Sequence, residues 1–214
     1  IDATIPVGTW HSLHESILPN DAVKGGFGNL LCALALAQQG GQTRHDVLAE
    51  ACTNMLLPTS KTRAQFDPNN TIVDFMDMNG FDYMVRLEND GDEFQQGLGA
   101  HSIRPINALL IQGNRDVLFP LQEAANNYRT LTAAGGDVRL TSTQGGHMNP
   151  LAGMSETSNN CGEQDPWEDA RRWFDHFLRD ADASVIADIN EVCVSLDDNN
   201  AVVTSNMPGH DTTF

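Results

Sequence analysis

The feature that most constrains the fold is an uninterrupted apolar strand, NALLIQG, which follows Pro105 and ends in the loop GNRD. Strands that are apolar at nearly every position are typical of parallel sheets covered on both faces. Helix and strand then alternate, with a helix over Phe119–Ala134, a strand over Asp137–Ser142 and a helix over Asp165–Arg179. This order predicts a right-handed parallel sheet of the α/β class, to which further strands must contribute.

The two ends of the chain add elements of different kinds. IDATI alternates apolar and polar residues before Pro6 and Gly8 end the pattern, which predicts a short first strand. Residues 29–39 and 44–57 are rich in helix formers and predict two helices. INEVCVSL and AVVTSN flank the turn-rich DDNN and predict a hairpin belonging to a second, all-β region.

The charge balance limits the kinds of partner. Twelve Lys and Arg stand against 29 Asp and Glu, a formal net charge of −17. Such a chain repels nucleic acids and anionic membrane surfaces, and no long apolar run predicts a membrane span. The acidity is typical of a solvated surface in a saline or extracellular setting, and we expect an extracellular or periplasmic location.

The chain has four cysteines with no CxxC pair and no ligand set at zinc spacing. A metal knuckle is therefore not expected. Cys161, in a polar loop, and Cys193, in a predicted strand, are the better disulfide candidates. Cys32 lies in the apolar run LLCALALA and is predicted to be an inert, buried thiol, and the connectivity is left open.

Two further segments resemble metal sites only superficially. WHSLHE offers His11, His14 and Glu15 but lacks the H-E-x-x-H arrangement of zinc proteases. ENDGDE, residues 88–93, does not match the twelve-residue calcium loop. We expect neither a metal nor a cofactor.

Two residues with chemical potential follow the predicted strands. Asp116 comes just after NALLIQG, and His147 comes just after the next strand, flanked by Gly145 and Gly146. In a parallel α/β sheet, reactive groups gather at the carboxyl edge of the strands. A carboxylate beside an imidazole fixes its tautomer and stabilises the imidazolium that forms when histidine accepts a proton from a nucleophile. The pair therefore predicts a catalytic acid and base.

These segments resemble a known superfamily. PINALLIQGNRDVLFPLQEAANNYRTL, DVRLTSTQGGH and PWEDARRWFDHFLRD together resemble the C-terminal half of an α/β-hydrolase. Within it they are most similar to the branch of X-prolyl dipeptidyl peptidases and cocaine-esterase-like acyl hydrolases, to which PVGTWHSLHESILPN is also similar. The resemblance implies a core strand over residues 1–10 and a mainly helical cap over 11–104. It further implies the C-terminal half of the hydrolase core over 105–182, and the beginning of a jelly-roll-like β-sandwich over 183–214.

The resemblance also assigns roles. Asp116 matches the acid of a Ser-His-Asp triad and His147 matches its base. Apart from the resemblance, Trp10 is a candidate for the substrate pocket because it lies near the end of the first predicted strand, and Met148 is a second candidate. The sequence contains no G-x-S-x-G nucleophile elbow, so the serine and the N-terminal half of the hydrolase domain are expected in sequence before Ile1 or in a companion chain. The implied function is hydrolysis of ester or amide bonds, X-prolyl peptide bonds among them, in a small-molecule or peptide acyl substrate.

Two alternatives stay open. The chain could be a catalytically inactive α/β-hydrolase-like module that serves binding or assembly after loss of the nucleophile. Alternatively, the fold could support a cysteine nucleophile or an acyl transferase that excludes water. The upstream sequence separates the first alternative from the enzyme, and thiol alkylation tests the cysteine version.

The missing elbow yields a first prediction. Loss of the serine from a triad lowers turnover on the order of a million-fold in a well-studied protease. We therefore predict that the isolated chain is inactive, and that a tagged fluorophosphonate, which marks activated serines, leaves it unlabelled. Labelling of a serine within the isolated chain would contradict the prediction.

Overall fold

The computed structural model describes residues 2–26, 28–29, 32–33, 46–56, 62–77, 105–147, 161–196 and 200–207. The chain divides into two compact units. One combines Ile1–Trp10 with Ser102–Phe214, and the other comprises His11–His101.

The first unit is built on a mostly parallel sheet of five strands. In chain order the strands are β1 (Ala3–Thr4), β2 (Asn107–Gly113), β3 (Val138–Thr143), β4 (Val192–Ser195) and β5 (Ala201–Thr204). They lie side by side in that same order, with β1 to β4 parallel and β5 antiparallel to β4. Together with the helices that follow β2 and β3, this sheet confirms the predicted α/β class.

The core of this unit lies against β2. Residues 108–112 are all buried, as its apolar sequence predicts for a strand with no solvent-facing side. Leu121–Ala133 forms a helix that packs against β2 and β3. The helix Pro166–Arg179 contributes Trp173, which is fully buried in a cluster with Leu109 and Ile111. The sheet is thus covered by helices, and β2 is held in place along its whole length.

The strands β4 and β5 form the hairpin that INEVCVSL and AVVTSN predict. Val192 pairs with Thr204 and Ser195 with Ala201 in antiparallel register. On its other side β4 pairs in parallel with β3, so that the described part of the hairpin extends the α/β sheet. The assignment of residues 183–214 to a jelly-roll-like domain stays a prediction.

The described part of the second unit is mainly helical. Phe66, Ile72 and Val73 are among its most buried apolar side chains. Residues 29–39, predicted to be helical, fall largely outside the described residues, whereas the helix predicted over 44–57 is found as Asp46–Leu56. The described helices include Leu13–Ile17, Asp46–Leu56, Arg63–Phe66 and Thr71–Asp77, with a 3₁₀ turn over Pro19–Asp21.

Each unit contains one disulfide. Cys161 is bonded to Cys193, as their sequence context suggests, and Cys32 is bonded to Cys52. The prediction that Cys32 is a free buried thiol is wrong. An apolar context cannot separate the two states, because disulfide sulfurs are buried as readily as free thiols, and both Cys32 and Cys52 are buried.

The disulfides bear on where the protein resides. Disulfides persist in oxidising environments such as the cell exterior and the bacterial periplasm, so the two bonds are compatible with an extracellular protein. Among the described residues, no helix combines the length and apolar character needed to cross a membrane.

The disulfide of the first unit should be important for stability. Cys161 and Cys193 are 32 residues apart, and cross-linking a loop of that length lowers the entropy of the unfolded chain by an amount worth about 3 to 4 kcal/mol. We predict that the double substitution Cys161→Ala with Cys193→Ala lowers the free energy of unfolding by about this much. Urea unfolding of the native protein, with and without the substitutions, measures the difference; equal midpoints and slopes would contradict the prediction.

Candidate active site

The first half of the candidate site is the turn that follows β2. Asp116 is buried there, and its Oδ1 accepts hydrogen bonds from the backbone N–H groups of Leu118 (3.0 Å) and Phe119 (2.8 Å). Its own N–H donates to the carbonyl oxygen of Gly113 at 3.2 Å. Aspartate favours such turns because its short carboxylate can bond to backbone N–H groups just ahead in the chain. Oδ1 is therefore held by the backbone of the turn, and Oδ2 is left to bond to other side chains.

The second half is the loop that follows β3. The N–H of Asn114 donates to the carbonyl oxygen of Thr143 at 2.8 Å, and the N–H of Arg115 donates to that of Gly145 at 3.1 Å. These two bonds join the loops that leave β2 and β3. As a result, the backbone that carries His147 is held against the turn that carries Asp116.

The two predicted residues meet directly. His147 Nδ1 lies 3.0 Å from Asp116 Oδ2. When Nδ1 donates its proton to this oxygen, Nε2 of the neutral imidazole keeps a lone pair that can accept a proton. The side chain of His147 is 25% exposed and that of Asp116 is 1% exposed. The geometry therefore gives a buried acid that orients a partly exposed base, although their catalytic roles stay a prediction.

Glycines allow this close approach, at Gly113 and Gly8 as well as at Gly146, which flanks His147 in the sequence. A Cβ on Gly113 would lie 2.2 Å from the carbonyl oxygen of Gly145, so only glycine fits at the end of β2. Gly8, which follows β1, has a φ of 59°, and a Cβ there would lie 3.7 Å from both Asp116 Oδ2 and His147 Nδ1. Gly146 is also tight, because a Cβ would come within 3.2 Å of the carbonyl oxygen of Arg115.

Aromatic side chains line one side of the pair. The ring of Phe119 meets the imidazole of His147 edge to face, with centroids 4.7 Å apart, and Trp10 packs on Phe119 at 5.2 Å. Trp10 remains 38% exposed and its carbonyl oxygen accepts a bond from Asn127 Nδ2. The predicted pocket residue Trp10 thus stands beside the site, while Met148 lies outside the described residues.

The structure also brings in a residue that the sequence analysis missed. The side-chain amide of Gln112, on β2, donates from Nε2 to Asp116 Oδ2 at 3.0 Å. The available signal is an amide near the end of a mostly apolar strand, but the pattern of a strand does not show which neighbour bonds to that amide. For Phe119 the sequence predicts only that a helix begins there.

Some ionisable groups on the helices have shifted pKa values. Burial raises the pKa of Asp169 in the helix Pro166–Arg179, against the opposing effect of its hydrogen bond to Arg172. Burial also raises the pKa of Tyr128 in the preceding helix.

The next question is which nucleophiles and metal ligands the side chains of this chain could supply. All four cysteines are in disulfides, so this chain offers no thiol nucleophile. Among the described residues, no three His, Cys, Asp or Glu side chains cluster as metal ligands would. The segment 88–93 lies outside those residues.

Comparison with known proteins gives no family assignment: no family model matches the sequence, and no curated protein is significantly similar to it.

The contact at Gly113 yields a test of the site geometry. We predict that Gly113→Ala forces the loop at Gly145 away from β2, destabilises the protein by about 1 to 3 kcal/mol and separates His147 from Asp116. The low-field proton resonance of the His147 Nδ1–H, which depends on the bond to the carboxylate, should disappear.

The matched control is Gly25→Ala, where a methyl group would meet nothing within 4 Å. This variant should keep both the resonance and the stability. Retention of the resonance in Gly113→Ala would show that the two loops are not held together as described.

Proposed function

We propose that the protein is a serine hydrolase of ester or amide bonds, with Asp116 as the acid and His147 as the base of its triad. The observation that supports this most strongly is the 3.0 Å contact between His147 Nδ1 and Asp116 Oδ2, just past the carboxyl ends of two neighbouring parallel strands. This is the edge of an α/β sheet at which reactive groups gather.

In the proposed reaction His147 and Asp116 each have a distinct role. His147 Nε2 accepts the proton of a serine hydroxyl as that oxygen attacks the acyl carbon, and the buried carboxylate of Asp116 stabilises the imidazolium that forms. The imidazolium then returns the proton to the departing alcohol or amine. In the second half, Nε2 takes a proton from water, which attacks the acyl-serine and releases the acid, and the proton returns to the serine oxygen.

The nucleophile is the part that this sequence does not supply. It contains no G-x-S-x-G, and we place the serine elbow in a segment outside these 214 residues, within the same polypeptide or a companion chain. The resemblance to X-prolyl dipeptidyl peptidases and cocaine-esterase-like hydrolases supports this proposal. On this view the helical unit corresponds to a cap inserted after the first strand, and residues 183–214 begin a β-sandwich.

Substrate class and location follow from the same features. The exposed face of Trp10 beside Phe119 offers an apolar wall next to His147, which suits the acyl or leaving group of a small molecule or peptide. Two disulfides and a net charge of −17 favour an extracellular or periplasmic enzyme that does not act on polyanions.

One observation favours a second candidate. Since the sequence lacks an elbow, the α/β unit could serve as a binding or assembly module in which no serine completes the pair. The burial of Asp116 against His147 is then a structural contact only. The two candidates differ in whether an activated serine exists in the native protein.

Labelling of the native protein with a tagged fluorophosphonate tests the proposal. By native protein we mean this chain together with the segment or companion chain that supplies the serine. We predict that a single serine is labelled, that His147→Ala abolishes the labelling, and that Asp116→Asn slows ester hydrolysis by about 10⁴-fold because the histidine loses its orientation. Matched controls are His176→Ala, in the helix Pro166–Arg179, and Asp180→Asn, at the C-cap of that helix.

The control variants should be labelled at the rate of the unsubstituted protein. A native protein that folds but stays unlabelled would refute the hydrolase and leave the binding module. Labelling that is indifferent to His147→Ala would show that a different base activates the serine.

A further inference from the structure

We infer that Gln112 is a positioning residue that holds both neighbours of the His147 imidazole, the Asp116 carboxylate and the Phe119 ring. This inference rests on the proposed hydrolase function, and it extends the site from two residues to a hydrogen-bonded and packed network of four. It begins from the hydrogen bonds of the Gln112 amide.

The amide of Gln112 donates in two directions. Nε2 lies 3.0 Å from Asp116 Oδ2 and 2.7 Å from the carbonyl oxygen of Phe119. The first acceptor is the same oxygen that receives the His147 Nδ1–H. Gln112 therefore helps to determine which direction that oxygen faces, and with it the direction of the imidazole.

The second bond closes a ring through the turn. The N–H of Phe119 donates to Asp116 Oδ1, and the Phe119 carbonyl oxygen accepts from Gln112. The backbone N–H of Phe119 is thus hydrogen-bonded to the Asp116 carboxylate, and its carbonyl oxygen is hydrogen-bonded to the Gln112 amide. Since the Phe119 ring meets the His147 imidazole edge to face at 4.7 Å, the same amide also fixes the surface on which the imidazole rests.

Gln112 lies in a buried strand, which holds its side chain in a fixed position. The residue is 1% exposed and belongs to β2, whose neighbours on both sides are strands of the sheet. A buried amide is costly unless it is hydrogen-bonded, and these two bonds satisfy both N–H groups of its NH₂. A purely structural strand would be served by an apolar side chain of the same size, so the amide is best explained by the two acceptors that it holds.

The test is Gln112→Met in the native protein, which keeps the volume of the side chain and removes its donors. We expect kcat for ester hydrolysis to fall roughly 10- to 100-fold with little change in KM, as for small misplacements of a catalytic group. The low-field His147 Nδ1–H resonance should broaden or disappear.

Two further variants complete the design. Gln122→Met makes the same chemical change on an exposed helix position, where the side-chain amide donates to Asn126 Oδ1, and should leave both readouts unchanged. Gln112→Asn keeps an amide that is one methylene too short to reach both acceptors, and should give an intermediate loss. It serves as the test if Gln112→Met does not fold, which circular dichroism reports.

The readouts separate the two claims. A kcat within about twofold of the unsubstituted protein, together with an intact resonance, overturns the positioning role; twofold is well below the loss expected from misplacement. If the native protein does not hydrolyse esters at all, the proposed function fails. The resonance alone then decides whether Gln112 positions His147, since its loss in Gln112→Met but not in Gln122→Met supports the role and its retention refutes it.

Discussion

Parallel pairing of β2 with β3 is the constraint on which the candidate site depends. The register ends with Gly113 opposite Thr143, so both strands finish at the same level and the same edge. Asp116 and His147 follow three and four residues later, and backbone bonds between the two loops keep them together. Antiparallel pairing would send the two loops to opposite ends of the sheet, and no local rearrangement could rejoin them.

The pairing in turn depends on burial. β2 keeps its place because its side chains are covered, with Trp173 and Ile111 in one cluster and the helix Leu121–Ala133 packed against the strand. In this apolar core the carboxylate of Asp116 accepts four hydrogen bonds. Two come from the backbone of the turn, one from Gln112 and one from His147. A buried charge is tolerated only when its lone pairs are satisfied. The same bonds that make the burial of Asp116 tolerable leave its side chain a single orientation, with Oδ2 towards the imidazole.

Much of this arrangement could be predicted from sequence because it follows from local pattern. The apolar run of β2 determines its burial, and the alternation of strand and helix determines the class of fold. Asp116 and His147 were found because both follow strands that end at one edge. The long-range contacts were not accessible in this way: sequence does not show that Gln112 bonds to Asp116, that Gly113 faces Gly145, or that Cys32 and Cys52 meet. The apolar sequence around Cys32 correctly predicts that the residue is buried, but the predicted free thiol is wrong. Free thiols and disulfides are both found in buried, apolar surroundings, so the surroundings do not distinguish them.

The most direct measurement of the central claim is a crystal structure of the native protein after reaction with a fluorophosphonate. The account predicts a phosphonylated serine whose Oγ lies within hydrogen-bonding reach of His147 Nε2, about 2.6 to 3.2 Å, with the bond from Nδ1 to Asp116 intact. An adduct on a serine remote from His147, or an unmodified serine beside it, would contradict the assignment of Asp116 and His147 to a catalytic triad.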